Sequence, residues 1–274
     1  MITRFLSYLT NIRGYAANTA KEYEKDIRAF AHWMKLKHPG ARWSTITRED
    51  LDRYITAEAE RGLKPATTNR KLASIAAFYR WMQREGMKVE NPCKYESRRK
   101  RPEQIPNTIP QQDLKAAYEH ATGATRYLIG ILMTTGIRIQ EALDMSWENI
   151  NTEDCSIKIQ GKGGKSRLVY TTTEVLEPVI NALQYEHKRG KMWHIDQRQA
   201  RTMIYEALRP YSNAAQLSPH AIRHTFATNI AVKGGNVTTL AQMLGHKRIE
   251  TTQKYIDMAQ APVKQMFAEG SLFN

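Results

Sequence analysis

Cysteines and long apolar runs are both scarce in this chain. Its 274 residues include two cysteines, Cys93 and Cys155, which form neither a CxxC pair nor another metal-type spacing. A disulfide framework and a thiolate zinc site are therefore not predicted, and a reducing compartment is favoured. Nowhere do about 18 apolar residues run together, and the N-terminus lacks the apolar stretch of a signal peptide. We expect a cytoplasmic protein without a membrane span or a membrane partner.

Acidic residues are also few relative to basic ones. Lysine and arginine total 41 against 27 aspartates and glutamates, which gives a formal net charge of +14. The basic residues are spread along the whole chain, and this distribution favours a long polyanion as the partner. A basic protein that is merely soluble is the alternative that charge alone leaves open. The length is sufficient for two domains with sizeable cores.

Apolar periodicity predicts an N-terminal helical region. One helix is expected over 18–37, a second after an N-cap at Thr47, and a third over about 65–84. Residues 86–110 then contain four prolines and the basic run 98–101, which are features of an extended linker. That linker could follow a phosphate backbone or serve only as a hinge. We predict a first domain over 1–90, a linker over 91–110 and a second domain over 111–274.

The second domain is predicted to be mainly helical with a small β-sheet. Helices are expected over 113–121, over 125–135 with an end at Gly136, and again from Arg138. Residues 155–172 alternate between apolar and polar on both sides of GKGGKS, which predicts a two-stranded hairpin turned by Gly163 and Gly164. Lys162 would lie at its tip. Helices return after Glu174.

Four short segments contain side chains suited to phosphate chemistry. They are GIRIQE at 136–141, GKGGKSR at 161–167, SPHAIRH at 218–224 and LGHKRIETTQKYI at 244–256. In the third segment, Ser218 is a favourable N-cap and Pro219 a favourable first helical residue, so His220 and Arg223 fall near the start of a helix. Such a terminus is a natural anion site. Each segment alone is weak evidence for function.

Together and in this order, the four segments resemble the tyrosine recombinase family, also called the phage integrase family, which includes the bacterial Xer recombinases. The stretch PATTNRKLASIAAFYRWMQREG followed by NP resembles the N-terminal core-binding domain of that family, so the resemblance covers nearly the whole chain. Only residues 188–217 match poorly. The family pattern of arginine, lysine, His-x-x-Arg, histidine or tryptophan, and tyrosine falls on Arg138, Lys162, His220, Arg223, His246 and Tyr255. The resemblance implies a SAM-like helical domain followed by an α+β catalytic domain.

The resemblance also implies a role for each of these side chains. Tyr255 would attack a phosphodiester with His220 as the base, while Arg138 and Arg223 stabilise the negative charge on the non-bridging oxygens. Lys162 would protonate the departing 5′ oxygen, with Lys165 as the competing assignment.

The remaining roles concern hydrogen bonds and DNA contacts. His246 would donate a hydrogen bond to the scissile phosphate, and Glu141 would orient Arg138. Candidate contacts to DNA are Arg70, Lys71, Lys165 and Arg167. For the two on the third helix, Arg70 and Lys71, an ordinary solvated surface position is the alternative.

The function implied is site-specific recombination of DNA without a metal, a cofactor or ATP. Strands would be exchanged through a 3′-phosphotyrosyl link and a Holliday junction by a homo-tetramer, with a dimer on each double-stranded core site, accessory proteins being possible. The protein would be associated with the nucleoid. The segment after Tyr255 would dock on a neighbouring subunit or pack on its own domain. A type IB topoisomerase-like enzyme and a catalytically silent architectural protein are the alternatives.

Overall fold

The computed structural model describes residues 1–94, 106–161, 166–185, 189–246 and 248–268, with backbone alone for 182–185 and 260–268. The chain forms two compact units, Met1–Glu103 and Gln104–Asn274, each with its own apolar core. Much of the predicted linker lies outside the described residues, as do the predicted hairpin tip and the side chains of the C-terminal segment. The domain ends given above stay a prediction.

The first unit is helical. It contains α1 (Ile2–Ser7), which continues into a π-helical turn (Tyr8–Ile12), α2 (Ala17–Lys37), α3 (Arg48–Glu60) and α4 (Pro65–Arg84). The predicted N-cap at Thr47 is confirmed, because its side chain accepts a hydrogen bond from the backbone of Asp50, whose carboxylate bonds back to Thr47. The core is rich in aromatic rings that meet edge-on or tilted, such as Phe5 with Phe78 at 5.2 Å and Phe30 with Tyr54 at 4.9 Å.

Two buried carboxylates of the first unit are paired with basic residues of α4 and with the arginine that follows α3. Asp26 accepts hydrogen bonds from Arg70, at 2.6 Å, and from Ser74, at 2.8 Å. Glu58 is paired with Lys71 and, at 2.9 Å, with Arg61. The Lys71 side chain is only 12% exposed. Arg70 and Lys71 therefore have internal partners, and their predicted contact with DNA stays a prediction.

The second unit combines eight helices of the described chain with a small sheet. The elements are α5 (Gln111–His120), α6 (Gly123–Thr135), α7 (Ile139–Leu143), a 3₁₀ turn (Trp147–Asn149), β1 (Ile150–Asn151), β2 (Ser156–Gln160), β3 (Ser166–Tyr170), α8 (Thr173–Tyr185), α9 (Gln197–Leu208), α10 (Pro219–Val232), α11 (Val237–Leu244) and α12 (Glu250–Ala268). The predicted fold class, mainly helical with a small β-sheet, is confirmed.

The sheet is antiparallel in the order β1-β2-β3, with Ile157 opposite Val169 and Ile159 opposite Arg167. The predicted alternation is confirmed, since Ile157, Ile159 and Val169 are buried and Lys158 between them is exposed. A third strand, β1, was not expected. It is only two residues long, and two residues are too few to produce a readable alternating pattern.

The core of the second unit forms around α6, which packs against α5, α8, α9 and α10. A smaller apolar cluster joins α10, α11 and α12 through Phe226, Leu240, Leu244 and Tyr255. Because this cluster joins the three helices, it brings the C-terminus of α11 close to side chains of α10 and α12. In the part of the chain that the structure describes, no helix has the length and apolarity needed to cross a membrane.

Candidate active site

Arg223 lies in α10, which begins as its sequence predicts. The Ser218 side chain caps the helix by accepting from the backbone of Ala221 at 3.2 Å, and Pro219 is the first helical residue. The Arg223 side chain is buried, and the residue as a whole is 2% exposed. Burial, followed by repulsion from Arg138, lowers its pKa to about 10, so the guanidinium remains charged at neutral pH.

Arg138 is placed by the end of α6. Gly136 ends that helix in the left-handed conformation, with φ of +62°, and a Cβ there would collide with the Phe226 ring. Arg138 then takes the N-cap position of α7. Its Nη1 donates to Glu141 Oε1 at 2.9 Å, and its backbone N–H donates to Glu141 Oε2 at 2.8 Å. Glu141 and Arg138 are therefore in contact, and the role of Glu141 in orienting Arg138 stays a prediction.

Three consecutive carbonyls at the C-terminus of α11 each accept a hydrogen bond from a different arginine. The pairs are Met243 O with Arg167 Nε at 2.9 Å, Leu244 O with Arg223 Nη2 at 2.7 Å, and Gly245 O with Arg138 Nη2 at 3.2 Å. The last carbonyls of a helix have no partners within the helix and carry the negative end of its dipole. This helix terminus therefore gathers guanidinium groups from three separate elements.

His246 follows directly and links this arrangement to α12. Its Nε2 lies 3.0 Å from Arg223 Nη2, and its Nδ1 lies 2.7 Å from Thr252 Oγ1. An arginine only donates hydrogen bonds, so Nε2 accepts and the ring proton is on Nδ1. Burial and the charge of Arg223 lower the pKa of His246 to about 4. In this geometry His246 is neutral, and its Nε2 does not donate.

Tyr255 lies in α12 and is 2% exposed. Its hydroxyl shares a hydrogen bond of 2.6 Å with Nδ1 of His224, and Lys254 Nζ lies 5.0 Å from its ring centroid. Burial raises the pKa of Tyr255, while the charge of Arg223 opposes that rise. Burial and then His220 lower the pKa of His224 to about 3, so His224 is neutral.

His220 contacts this site through the ring of His224. The two rings pack edge-on with centroids 4.3 Å apart, although His220 remains exposed on its outer side. Partial loss of water, followed by the charges of Arg223 and Lys254, lowers the pKa of His220. The sequence predicted His220 as the partner of the tyrosine hydroxyl, whereas this structure gives that contact to His224. The role of His220 as a base stays a prediction.

Sequence reasoning missed His224 and Lys254. A signal existed for His224, because it lies four residues after His220 and so on the same helix face. Arg167, a predicted DNA contact, donates from both Nη atoms to the Glu141 carboxylate, and its contact with DNA stays a prediction. Lys162 and Lys165 lie outside the described residues.

Among the residues that are described, no group of three or more histidines, cysteines or carboxylates is placed to hold a metal ion.

The other predicted catalytic side chains form two neighbouring groups of contacts. One runs from Glu141 and Arg138 through the end of α11 to Arg223, and from there to His246. The other joins His220, His224 and Tyr255, and it adjoins the first because His224 follows Arg223 in α10. The arrangement presents a concentrated positive charge beside a phenol, which suits the attack of a tyrosine on a phosphodiester.

Comparisons with known proteins identify the family of the chain. The model of the phage integrase family matches residues 107–261, and that of the phage integrase N-terminal SAM-like domain matches residues 2–86. Tyrosine recombinase XerC of Listeria welshimeri is 27% identical over 285 residues, covering 96% of this chain and 95% of the relative. Tyrosine recombinase XerD of Proteus mirabilis is 25% identical over 284 residues, covering 96% and 90%.

Solved structures show the same fold. A crystal structure of XerH site-specific recombinase bound to palindromic difH substrate, a post-cleavage complex, superposes with a TM-score of 0.78 at 17% identity, covering 98% of this chain and 84% of that one. A lambda integrase dimer bound to a COC′ core site gives a TM-score of 0.71 at 16% identity, covering 93% and 94%. Because the integrase model spans more than half of its residues, the chain belongs to the phage integrase family, the tyrosine recombinases.

Proposed function

We propose that the protein is a site-specific DNA recombinase that cleaves and rejoins duplex DNA through a 3′-phosphotyrosyl link at Tyr255, without a metal ion or ATP. One observation carries the proposal. Arg138, Arg223 and His246 meet at the C-terminus of α11, and the Tyr255 hydroxyl is held by the residue next to Arg223. The named recombinases among its relatives support the same function.

The first step is capture of the scissile phosphate by Arg138 and Arg223. Both guanidiniums now donate to backbone carbonyls, and an ionised phosphodiester is a stronger acceptor than a neutral carbonyl. Negative charge accumulates on the non-bridging oxygens as the fifth bond to phosphorus forms. Two planar guanidiniums stabilise that charge.

His246 changes its role when the phosphate arrives. If Arg223 turns toward the phosphate, the His246 Nε2 loses its present donor. A nearby anion also raises the pKa of an imidazole, which favours uptake of a proton. The protonated ring then donates from Nε2 to a phosphate oxygen, while Nδ1 remains on Thr252. The predicted donor role of His246 thus requires a proton that the free protein does not carry there.

Tyr255 must leave its buried position to react. Its hydroxyl separates from His224 and gives its proton to His220, and the phenolate oxygen forms the bond to phosphorus. The bond from phosphorus to the 5′ oxygen breaks, and Lys162 supplies the proton that this oxygen takes up. The phosphotyrosyl ester preserves the bond energy, so the 5′ hydroxyl of another strand can reverse the step.

We further propose that the substrate is a double-stranded core site. A dimer occupies each site, two sites form a tetramer, and the strands are exchanged in pairs through a Holliday junction. The net charge of +14 supports a DNA partner. The lambda integrase dimer bound to a core site and XerH bound to difH substrate, which share the fold of this chain, support a DNA site as the substrate.

Trapping the covalent adduct tests the proposal. The protein is incubated with sheared, nicked genomic DNA from its own organism, in EDTA and without ATP, and the reaction is stopped with detergent. Sequencing the DNA ends that remain attached to protein maps the cleavage site. A nicked duplex built on that site should then give an adduct whose phosphorylated peptide contains Tyr255.

Two tyrosine variants complete that experiment. Tyr255→Phe should abolish the adduct, whereas Tyr205→Phe, at an exposed tyrosine of α9, should leave it unchanged. An adduct that persists in Tyr255→Phe rejects the proposed nucleophile. Relaxation of a plasmid without the mapped site, at a rate similar to that of a plasmid that carries it, would favour a topoisomerase instead.

A further inference from the structure

We infer that Arg167 is a positioning residue of the reaction, which fixes Glu141 and, through it, the phosphate-binding guanidinium of Arg138. The inference rests on the proposed function, since it assigns Arg138 to the phosphate. It gives Arg167 a role distinct from that of a DNA contact.

The Arg167 guanidinium donates hydrogen bonds to two different elements of the second unit. Its Nη1 and Nη2 donate to Oε1 and Oε2 of Glu141 at 3.1 and 2.8 Å, and its Nε donates to the Met243 carbonyl at 2.9 Å. The side chain is 16% exposed. A fork of this kind fixes a carboxylate in distance and in orientation, which a single ammonium cannot do. Arg167 therefore connects β3, the N-terminal turn of α7 and the end of α11.

Glu141 depends on this contact. Its carboxylate is largely buried, and burial alone raises the pKa of a carboxyl group. Hydrogen bonds from Arg167 and from the Arg138 backbone outweigh that effect and bring the pKa of Glu141 below its usual value. An ionised, doubly held carboxylate is a fixed partner for Arg138 Nη1 at 2.9 Å. The Arg138 side chain is 45% exposed, so without this partner it has many rotamers to sample.

Gly245 provides independent geometric support. A Cβ placed at this glycine would lie 2.9 Å from Arg167 Nη1 and 3.0 Å from Arg167 Cζ. The guanidinium therefore passes directly against the backbone of the residue whose carbonyl accepts from Arg138 Nη2. Arg167 and Arg138 thus lie next to the same helix terminus, with Glu141 between their guanidiniums.

The placement of Arg167 on β3 extends the argument to the hairpin. Arg167 is paired with Ile159 in the sheet, and Ser166 precedes it at the start of the strand. Lys162, the proposed proton donor, is five positions before Arg167 in the sequence. Arg167 thereby anchors the strand that follows that lysine to the element that holds Arg138.

The test uses the full chain and the nicked duplex built on the mapped cleavage site. Cleavage is followed in single turnover with saturating protein, and DNA affinity and thermal stability are measured separately. Arg167→Gln should lower the cleavage rate about 10- to 100-fold, as expected for loss of an outer partner of a reactive group, with little change in Kd. Arg167→Lys keeps the charge but not the fork, and should recover only part of the rate.

Lys158→Gln is the matched control. Lys158 is exposed on the neighbouring strand β2, so this variant removes the same charge from the same sheet. It should cleave at the wild-type rate. If Arg167→Gln instead weakens DNA binding and cleaves at the wild-type rate once saturated, Arg167 is a DNA contact and the inference is overturned.

A substrate with a methylphosphonate at the scissile position separates positioning from folding. Replacing a non-bridging oxygen by methyl removes the charge that Arg138 is proposed to meet. The loss caused by Arg167→Gln should therefore shrink at least severalfold on this substrate. An equal loss on both substrates, together with a lower Tm, would mean a structural role only. If wild-type protein forms no adduct at all, the proposed function fails and this inference fails with it.

Discussion

The two units bury charge in opposite ways. In the first unit, the carboxylates of Asp26 and Glu58 are buried, and each has a basic partner within hydrogen-bond distance. In the second unit, guanidinium and amino groups gather around the end of α11 and Tyr255. Glu141 is the carboxylate that pairs with them among the described residues. Balanced charge is typical of structure, whereas an excess of one sign is typical of a site for a ligand of the other sign.

The pKa shifts of basic groups differ between the two units in the same way. In the first unit, the hydrogen bonds that Lys71 donates to Glu58 and Tyr54 overcome the effect of burial and raise the pKa of Lys71, which stabilises its charge. In the second unit, burial and neighbouring cations lower the pKa values of five basic groups among the described residues, namely His220, Arg223, His224, His246 and Lys254. An incoming phosphate would relieve that repulsion.

The largest expected effect is that of removing Arg223. Arg223→Gln should lower single-turnover cleavage by about 10²- to 10³-fold, the cost of one lost transition-state donor. The free energy of unfolding should change by much less than the activation free energy of cleavage, because the variant also relieves repulsion within the cluster. Rapid-quench cleavage and urea unfolding of the full chain measure the two quantities. A large loss of stability with normal cleavage would mean that Arg223 has a structural role, like the paired charges of the first unit.

Breaking an ion pair in the first unit should have the opposite result, a large loss of stability with unchanged cleavage. Lys71→Met leaves Glu58 buried with Arg61 alone and should destabilise the protein by about 3 kcal/mol, while saturated cleavage is unchanged. Urea unfolding of Lys71→Met and of Lys71→Met/Glu58→Leu checks this assignment. The double variant should be the more stable of the two. Unchanged stability with weaker DNA binding would support the DNA contact predicted from the sequence.

A glycine substitution tests the close approach at the end of α11. Gly245→Ala forces an alanine into the left-handed backbone conformation, which costs about 1–2 kcal/mol. The added Cβ also collides with the Arg167 guanidinium. Gly234→Ala is the matched control, since its φ is +83° and a Cβ there meets nothing within 4 Å. Both variants should lose similar stability in thermal unfolding. Only Gly245→Ala should also cleave more slowly, and equal cleavage rates would contradict the proposed role of Arg167.

The smallest effect near neutral pH concerns histidine protonation. The folded pKa values of about 3 for His224 and about 4 for His246 lie below the unfolded value of 6.5. Below pH 6.5 the unfolded chain therefore binds more protons than the folded one, and stability should fall progressively toward pH 4. Thermal unfolding across this range measures the decline. Replacing His246 by asparagine should flatten it, and an unchanged slope would contradict the assignment.

Local features of the fold were predictable because they depend on neighbours in the chain. Helical periodicity located α2 and α4, and the Thr47 and Ser218 caps marked the starts of α3 and α10. Gly136 ended α6 as expected. The strand β1 gave no signal, because it is defined by its pairing with β2 and not by its own pattern.

The sequence by itself determined which side chains are available for phosphate chemistry and where their helices begin. Only the tertiary structure decided which groups they contact. Arg223 meets the carbonyl of Gly136, which is 87 positions away, and Arg167 meets that of Met243, which is 76 positions away. No local pattern contains such pairings, because they arise when packing brings α10 to the end of α6 and α11 to β3. For the same reason, the sequence predicted Tyr255 as the nucleophile, whereas the partner of its hydroxyl, His224, emerged only from the packed helices.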